Sequence, residues 1–151
     1  MTLTQKETTL LQDLKSQEQL CVDKYAKYSS DACDGNLKNL FSQIGQKEQQ
    51  HLDTINQIVI GTVPQVGGGS DQANTMPTDL KSQCNEADKQ KDKYLCFDAL
   101  STEKHVSSSY NTSIFEFRDT NIRTVLNHIQ KEEQEHGEQI YNYMSQNAMY
   151  N

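Results

Sequence analysis

Apolar residues recur at alternating intervals of three and four over four long segments of the chain. This spacing puts them on one face of a helix and is typical of helices that pack against a core. Strand-like alternation is weak, so the pattern predicts an all-α protein. Thr4-x-x-Glu7 has the form of a capping box and opens the first predicted helix. The predicted helices cover about residues 4–30, about 36–59, about 88–116 and about 121–146, and residues 80–88 fit either a short helix or the start of the third.

The chain contains an internal repeat. Residues 60–79 hold both prolines and four of the seven glycines, which indicates a linker. One constant shift in numbering, which pairs Tyr25 with Tyr110, aligns the segment before the linker with the segment after it. Each half is therefore predicted to be one helical hairpin, at 4–59 and 80–146, and the linker is long enough to run the length of a bundle. The prediction is one domain over 1–151: an all-α four-helix bundle of two tandem hairpins with a long crossover.

Six ionisable residues fall on the predicted apolar stripes. The turn centres lie near residues 33 and 118, and each turn has one glutamate before it and one after it at equal distances along the chain. Antiparallel arms of equal length, about 22 Å at ~1.5 Å per residue, bring these glutamates to one level in mid-bundle. Each histidine lies one turn beyond the second of these glutamates, on the same face. The six are Glu18, Glu48, His51, Glu103, Glu133 and His136.

Four carboxylates at one level of a core either take up protons or bind cations, because buried charges are costly and neighbouring carboxylates repel each other. Two divalent ions would balance the four charges, and two neutral imidazoles would complete the ligand set. One Glu from each of two helices and Glu-x-x-His from each of the other two is a dinuclear carboxylate arrangement. Hard oxygen ligands with some imidazole suit iron or manganese over copper or structural zinc. Of the two, iron is expected first and manganese second.

Composition narrows the function classes. Only 34% of the residues are hydrophobic, so burial has to be concentrated on narrow stripes. A net charge of −7 without a basic run argues against nucleic acid. No stretch approaches the ~20 apolar residues of a membrane span. The first residues lack the pattern of a secretory signal, so an intracellular protein is expected.

Several further side chains have two interpretations. Tyr25 and Tyr110 lie two turns beyond Glu18 and Glu103 and are either core aromatics bonded to a carboxylate or redox-active, hence catalytic, tyrosines. None of the four cysteines forms C-x-x-C, so reduced thiols are expected. Cys21 and Cys96 are predicted to be apolar fillers, whereas Cys33, in a turn, could cross-link. Surface positions are predicted for His105, His128, Glu132, Glu135 and Glu138.

Over about residues 4–146 the chain resembles the ferritin-like superfamily. The six ligand candidates match the metal ligands of that superfamily one for one, and Tyr25 falls where many ferritins keep a tyrosine. The position one turn after Glu103 is Val106, where rubrerythrins usually have another Glu. About five residues follow the fourth helix, too few for the short fifth helix of cage ferritins.

The chain is also similar to clostridial-type spore coat proteins of the coat F group. The similarity rests on LTQKETTLLQDLKSQEQLCVDKY, EQQHLDTINQ and DALSTEKHVSSSYNTSIFEFRD. It implies synthesis in the mother cell cytoplasm of a sporulating Firmicute, then association with the spore coat and its other proteins. A homo-oligomer is also expected.

Two functions are consistent with these resemblances. One is a redox enzyme whose metal pair reacts with O₂ or hydrogen peroxide, as a ferroxidase, peroxidase or catalase. The other is a structural coat component whose metals stabilise a bundle poor in apolar residues.

Overall fold

The computed structural model describes residues 1–66 and 77–150, and over these residues it contains four α-helices and no strand. The all-α four-helix prediction is confirmed. Part of the segment assigned to the crossover linker, 67–76, lies outside the described ranges. The helices are α1 (Gln5–Asp31), α2 (Gly35–Val59), α3 (Glu86–Glu116) and α4 (Thr120–Gln146).

Each helix begins at a residue whose side chain accepts a hydrogen bond from the first turn. The predicted capping box is present in α1, where Thr4 and Glu7 bond to each other's backbone N–H groups at 2.7 and 3.1 Å. Asp34 and Asp119 cap α2 and α4. Asn85 caps α3 and settles the ambiguous stretch, because residues 80–85 precede the helix rather than belong to it.

The helices pack as two hairpins, α1 against α2 and α3 against α4, and the hairpins pack through α1 with α3 and α2 with α4. Apolar residues at the predicted spacing are fully buried along this interior, which is how a chain poor in apolar residues forms a core. None of the described helices combines the length and apolar character of a membrane span. Among the largest buried apolar side chains are Leu11, Leu14, Phe41, Ile44, Ile55, Ile122 and Leu126.

Each hairpin contains one buried acidic residue that accepts hydrogen bonds from the turn of the other hairpin. Glu7 of α1 accepts a bond from the backbone N–H of Arg118, in the α3–α4 turn, at 3.1 Å. Asp92 of α3 accepts bonds from the N–H groups of Cys33 and Asp34, in the α1–α2 turn, at 2.8 and 3.0 Å. Glu7 and Asp92 occupy equivalent positions of the two halves, so the repeat read from the sequence appears in the structure as a reciprocal contact.

Candidate metal centre

The structure brings the six ligand candidates together in the interior, midway along the helices. Glu18 comes from α1 and Glu103 from α3, while α2 and α4 each supply a Glu and a His. None of the six has more than 4% of its surface exposed. The equal-arm argument explains this meeting, since all four glutamates lie equally far along the chain from a turn.

The six residues form two overlapping groups of possible ligand atoms, each group within 4.8 Å. One group contains Glu18 and His51, and the other contains Glu103 and His136. Glu48 and Glu133 belong to both groups. A carboxylate has two oxygens, so each of these two shared glutamates could contact two cations if a pair were bound.

The histidines contact carboxylates of both hairpins through Nδ1. In His51, Nδ1 lies 3.2 Å from Glu48 Oε2 and 3.1 Å from Glu133 Oε1. In His136, Nδ1 lies 3.2 Å from Glu48 Oε1 and 3.7 Å from Glu133 Oε2. The imidazole rings are stacked, with centroids 5.8 Å apart. Neither hairpin alone contains a complete group.

The two tyrosines reach across the bundle to Glu103 and Glu18. We call these two the outer glutamates, because each belongs to only one of the two ligand groups. The hydroxyl of Tyr25 donates to Glu103 Oε1 at 2.5 Å, and that of Tyr110 donates to Glu18 Oε1. Both tyrosines are fully buried, and burial raises the pKa of each phenol well above its usual value. The expected bond between a core tyrosine and a carboxylate is therefore present, and redox activity of the tyrosines stays a prediction.

The surroundings of Glu18 and Glu103 disfavour the ionised form of both carboxyl groups. Burial, followed by the neighbouring carboxylates of Glu133 and Glu48, raises the pKa of Glu18 well above its usual value. Burial and contact with Glu133 have the same effect on the pKa of Glu103. Such shifts indicate groups whose ionised form lacks a counter-charge.

The shared glutamates, Glu48 and Glu133, are stabilised as anions by the histidines. Burial would raise the pKa of Glu48, but hydrogen bonds with His136 and His51 hold that pKa well below its usual value. Burial is likewise outweighed at Glu133, whose pKa is lowered by contact with Glu103 and both histidines. The pKa of each imidazole is raised in turn, since the carboxylates outweigh the opposing effect of burial. The histidines and the shared glutamates therefore favour each other's charged forms.

Unpartnered oxygen atoms indicate that the site suits cations. Glu18 Oε2, Glu103 Oε2 and Glu133 Oε2 are buried and have no hydrogen-bond partner among the described residues. Leaving such atoms unpaired is costly. Carboxylate oxygens with two imidazoles are a donor set suited to iron or manganese. The residues present therefore fit the metal pair that the resemblance implies.

The prediction that Glu132 lies on the solvated face of α4 is wrong. Its side chain is only 15% exposed, with Oε1 3.4 Å from His51 Nε2 and 2.9 Å from His128 Nε2. Its other oxygen lies 3.0 Å from Lys47 Nζ. Burial opposes ionisation, but the contacts with His51 and Lys47 lower the pKa of Glu132 to about 2. His128, also predicted at the surface, is partly covered by this contact.

The predicted surface positions of three polar side chains and the predicted burial of two cysteines are confirmed. Glu135, Glu138 and His105 are exposed. Cys21 and Cys96 are buried, and burial raises the pKa of both thiols, which keeps them neutral and suited to filling the core. All four cysteines are free thiols.

A groove of about 320 Å³ opens between α1 and α2 beside Tyr25. It is lined by Phe41 and by Gly45, which has no side chain to fill it. The equivalent of Gly45 in the second hairpin is Gln130, whose amide donates to the backbone oxygen of Ser107 at 3.0 Å. The repeat is therefore not symmetric beside the two tyrosines.

Comparison with known families gives one match. A model of the Coat F domain matches residues 91–151, which include most of α3 and all of α4. The match supports the coat F family. It covers Glu103, Tyr110, Glu133 and His136 but none of the first hairpin. Neither the curated proteins nor the solved structures gave a match.

Proposed function

We propose that this chain is a spore-coat-associated, ferritin-like protein that binds two metal ions and acts in redox chemistry on O₂ or hydrogen peroxide. Iron is the first choice of metal and manganese the second. The observation that carries the proposal is the pair of buried ligand groups that share Glu48 and Glu133. The Coat F match over the second half supports the association with the spore coat.

The ligand assignment follows from the two groups. Glu18 and His51 would hold one ion, Glu103 and His136 the other, and Glu48 and Glu133 would contact both. Two divalent ions carry four positive charges, which match four ionised glutamates. A bound iron or manganese pair would supply the electrons exchanged with O₂ or peroxide.

The other residues of the centre prepare the ligands. The hydroxyls of Tyr25 and Tyr110 each hold one oxygen of an outer glutamate, so the second oxygen stays free within the interior. The same hydroxyls lie against ligand carboxylates, so the tyrosines are the proposed sites of one-electron oxidation. The surrounding apolar residues exclude water and strengthen every charge interaction at the site.

The second candidate is a structural coat component in which the metals only stabilise the bundle. The low apolar content and the four buried carboxylates favour it, because ions that neutralise the carboxylates would add directly to folding stability. The two candidates share one site and differ in whether the bound metals turn over.

Turnover assays decide between them. Protein loaded with Fe²⁺ or Mn²⁺ is expected to hold about two ions per chain and to oxidise Fe²⁺ or consume peroxide catalytically. Glu48→Ala should abolish turnover, because Glu48 belongs to both ligand groups and would contact both ions. Glu135→Ala, at an exposed position of α4, is the matched control and should retain activity. Two bound ions without turnover would leave the structural function, and an absence of bound ions would contradict both.

A further inference from the structure

The two hairpins differ in charge next to the metal centre. Lys47 of α2 and Glu132 of α4 occupy equivalent positions of the repeat, since each directly precedes the glutamate shared by the two ligand groups. Their side chains meet, with Nζ and Oε2 3.0 Å apart. One equivalent position therefore offers a carboxylate, and the other offers an ammonium group.

His51 has this carboxylate behind it. Its Nδ1 faces the centre, and its buried Nε2 lies 3.4 Å from Glu132 Oε1 but makes no hydrogen bond among the described residues. A neutral imidazole that offers the Nδ1 lone pair to an ion carries its proton on Nε2. That proton needs an acceptor, and Glu132 is the carboxylate within reach.

His136 has no such neighbour. Its Nδ1 faces the centre as that of His51 does, at 3.2 Å from Glu48 Oε1 and 3.5 Å from Glu103 Oε1. Apart from Glu48, Glu103 and Glu133, no carboxylate of the described residues lies within 4.0 Å of its ring nitrogens. Lys47, at the position equivalent to Glu132, has only hydrogen-bond donors and does not serve as an acceptor.

We propose that Glu132 is a positioning residue for His51 and makes the two ion positions unequal, with the ion at His51 bound more tightly. The proposal rests on the metal binding proposed above. A carboxylate that accepts the second N–H of a ligating histidine fixes its tautomer and orientation and makes it more basic. The loss of such a partner typically lowers metal affinity by ~10–100-fold.

The test is a titration of metal-free protein with Mn²⁺. The affinity of each step is measured by calorimetry and by competition with a chelator. The wild type is expected to bind two ions in unequal steps. Glu132→Gln should weaken the tighter step by ~10–100-fold and leave the other unchanged. Glu138→Gln, an exposed glutamate on the same helix, is the matched control and should bind as the wild type does.

Histidine variants assign the effect to one position. If Glu132 acts through His51, then Glu132→Gln should still weaken the remaining ion in a His136→Gln background. In a His51→Gln background, the same change should have no effect on the remaining ion. Weakening of both steps alike, or an effect that persists without His51, would overturn the positioning role.

A second variant distinguishes the effect of the position of the Glu132 carboxylate from the effect of its charge. Glu132→Asp keeps the charge but withdraws the oxygens by one methylene, so the same selective weakening is expected. Wild-type affinity in Glu132→Asp would contradict the inference. So would a Glu132→Gln variant that binds metal as Glu138→Gln does, in a protein whose wild type binds two ions. In either case the proposal of metal binding itself would still stand. Failure of the wild type to bind either Mn²⁺ or Fe²⁺ would overturn both proposals.

Discussion

Glu7 is a single buried carboxylate that joins two parts of the bundle. It completes the capping box of α1 and also accepts the backbone N–H of Arg118, in the opposite hairpin. The backbone bonds from Thr4 and Arg118 lower its pKa from 4.5 to about 2. A lowered pKa means that the folded state favours the ionised form, so Glu7 stabilises the fold while it is charged.

A pH dependence follows from this shift. The stabilisation by Glu7 should be complete above about pH 4.5 and be lost as the pH falls towards about 2. The free energy of unfolding of the wild type should therefore exceed that of Glu7→Gln near neutral pH, and the difference should shrink over this window. Urea denaturation of both proteins at several pH values measures it. A difference independent of pH would contradict the assignment.

The metal-ligand candidates could be predicted from the sequence, because two properties that identify them are local. These are the spacing of apolar residues along each helix and the number of residues between each glutamate and the nearest turn. Both arguments apply to Glu48 and Glu133 without knowledge of how the hairpins pack. Asp92 and Glu132 escaped them because their partners are distant in sequence. Asp92 bonds to the turn of the other hairpin, and Glu132 contacts Lys47 of another helix. Only the packed bundle reveals such partners.

At the level of the helices, Gly45 and Gly137 stand at interior positions of α2 and α4 and differ in their surroundings. A Cβ at Gly45 would lie 3.2 Å from Cβ of Tyr25, whereas one at Gly137 would lie 3.7 Å from Cδ1 of Leu100, an ordinary contact. Tyr25 has little freedom to move away, because its hydroxyl is bonded to Glu103 and its ring packs against Phe41.

Opposite effects of alanine are expected at the two glycines. Alanine in a helix interior gains about 1 kcal/mol over glycine, and overpacking typically costs about 1–3 kcal/mol. Gly137→Ala should therefore stabilise the protein by up to about 1 kcal/mol, whereas Gly45→Ala should destabilise it by about 1 kcal/mol. Urea denaturation of the two variants provides the comparison. Equal stabilisation by both would show that Tyr25 can shift.

Helix limits were predictable where capping residues mark them and ambiguous where tertiary contacts set the path. Thr4 and the turn around Asp34 show this for α1 and α2. The stretch before α3 is held instead by side chains at the end of α4. Gln146 accepts from the N–H of Leu80 at 3.0 Å, and Asn147 accepts from that of Ser82 at 2.8 Å. No local pattern in residues 80–85 encodes these bonds.

For the whole molecule, metal binding and folding should be coupled. Each ion that binds only the folded chain adds about 2.7 kcal/mol at a concentration 100 times its Kd. For a chain of this size, two such ions correspond to a rise in Tm of about 10–20 °C. Thermal unfolding with and without Mn²⁺ measures the change. Glu48→Gln should lose most of the rise and Glu138→Gln should keep it; a Tm insensitive to metal would contradict coupling.

The internal repeat allowed the architecture to be predicted, because equal spacing in both halves implies two equivalent hairpins. The pairing of the hairpins was less accessible from sequence. The structure adds it through contacts that run both ways, such as Tyr25 with Glu103 and Tyr110 with Glu18. Self-association and partnership with spore coat proteins stay predictions.

The Lys47–Glu132 contact has a consequence for how such a protein can evolve. Two identical hairpins assembled as a symmetric dimer would place the same residue at both of these positions, and two lysines or two glutamates would repel each other there. Joining the hairpins into one polypeptide removes that restriction, because each copy can then accumulate its own substitutions. Covalent fusion thus allows opposite charges to meet near the pseudo-symmetry axis, and it lets one histidine acquire a neighbour that its twin lacks.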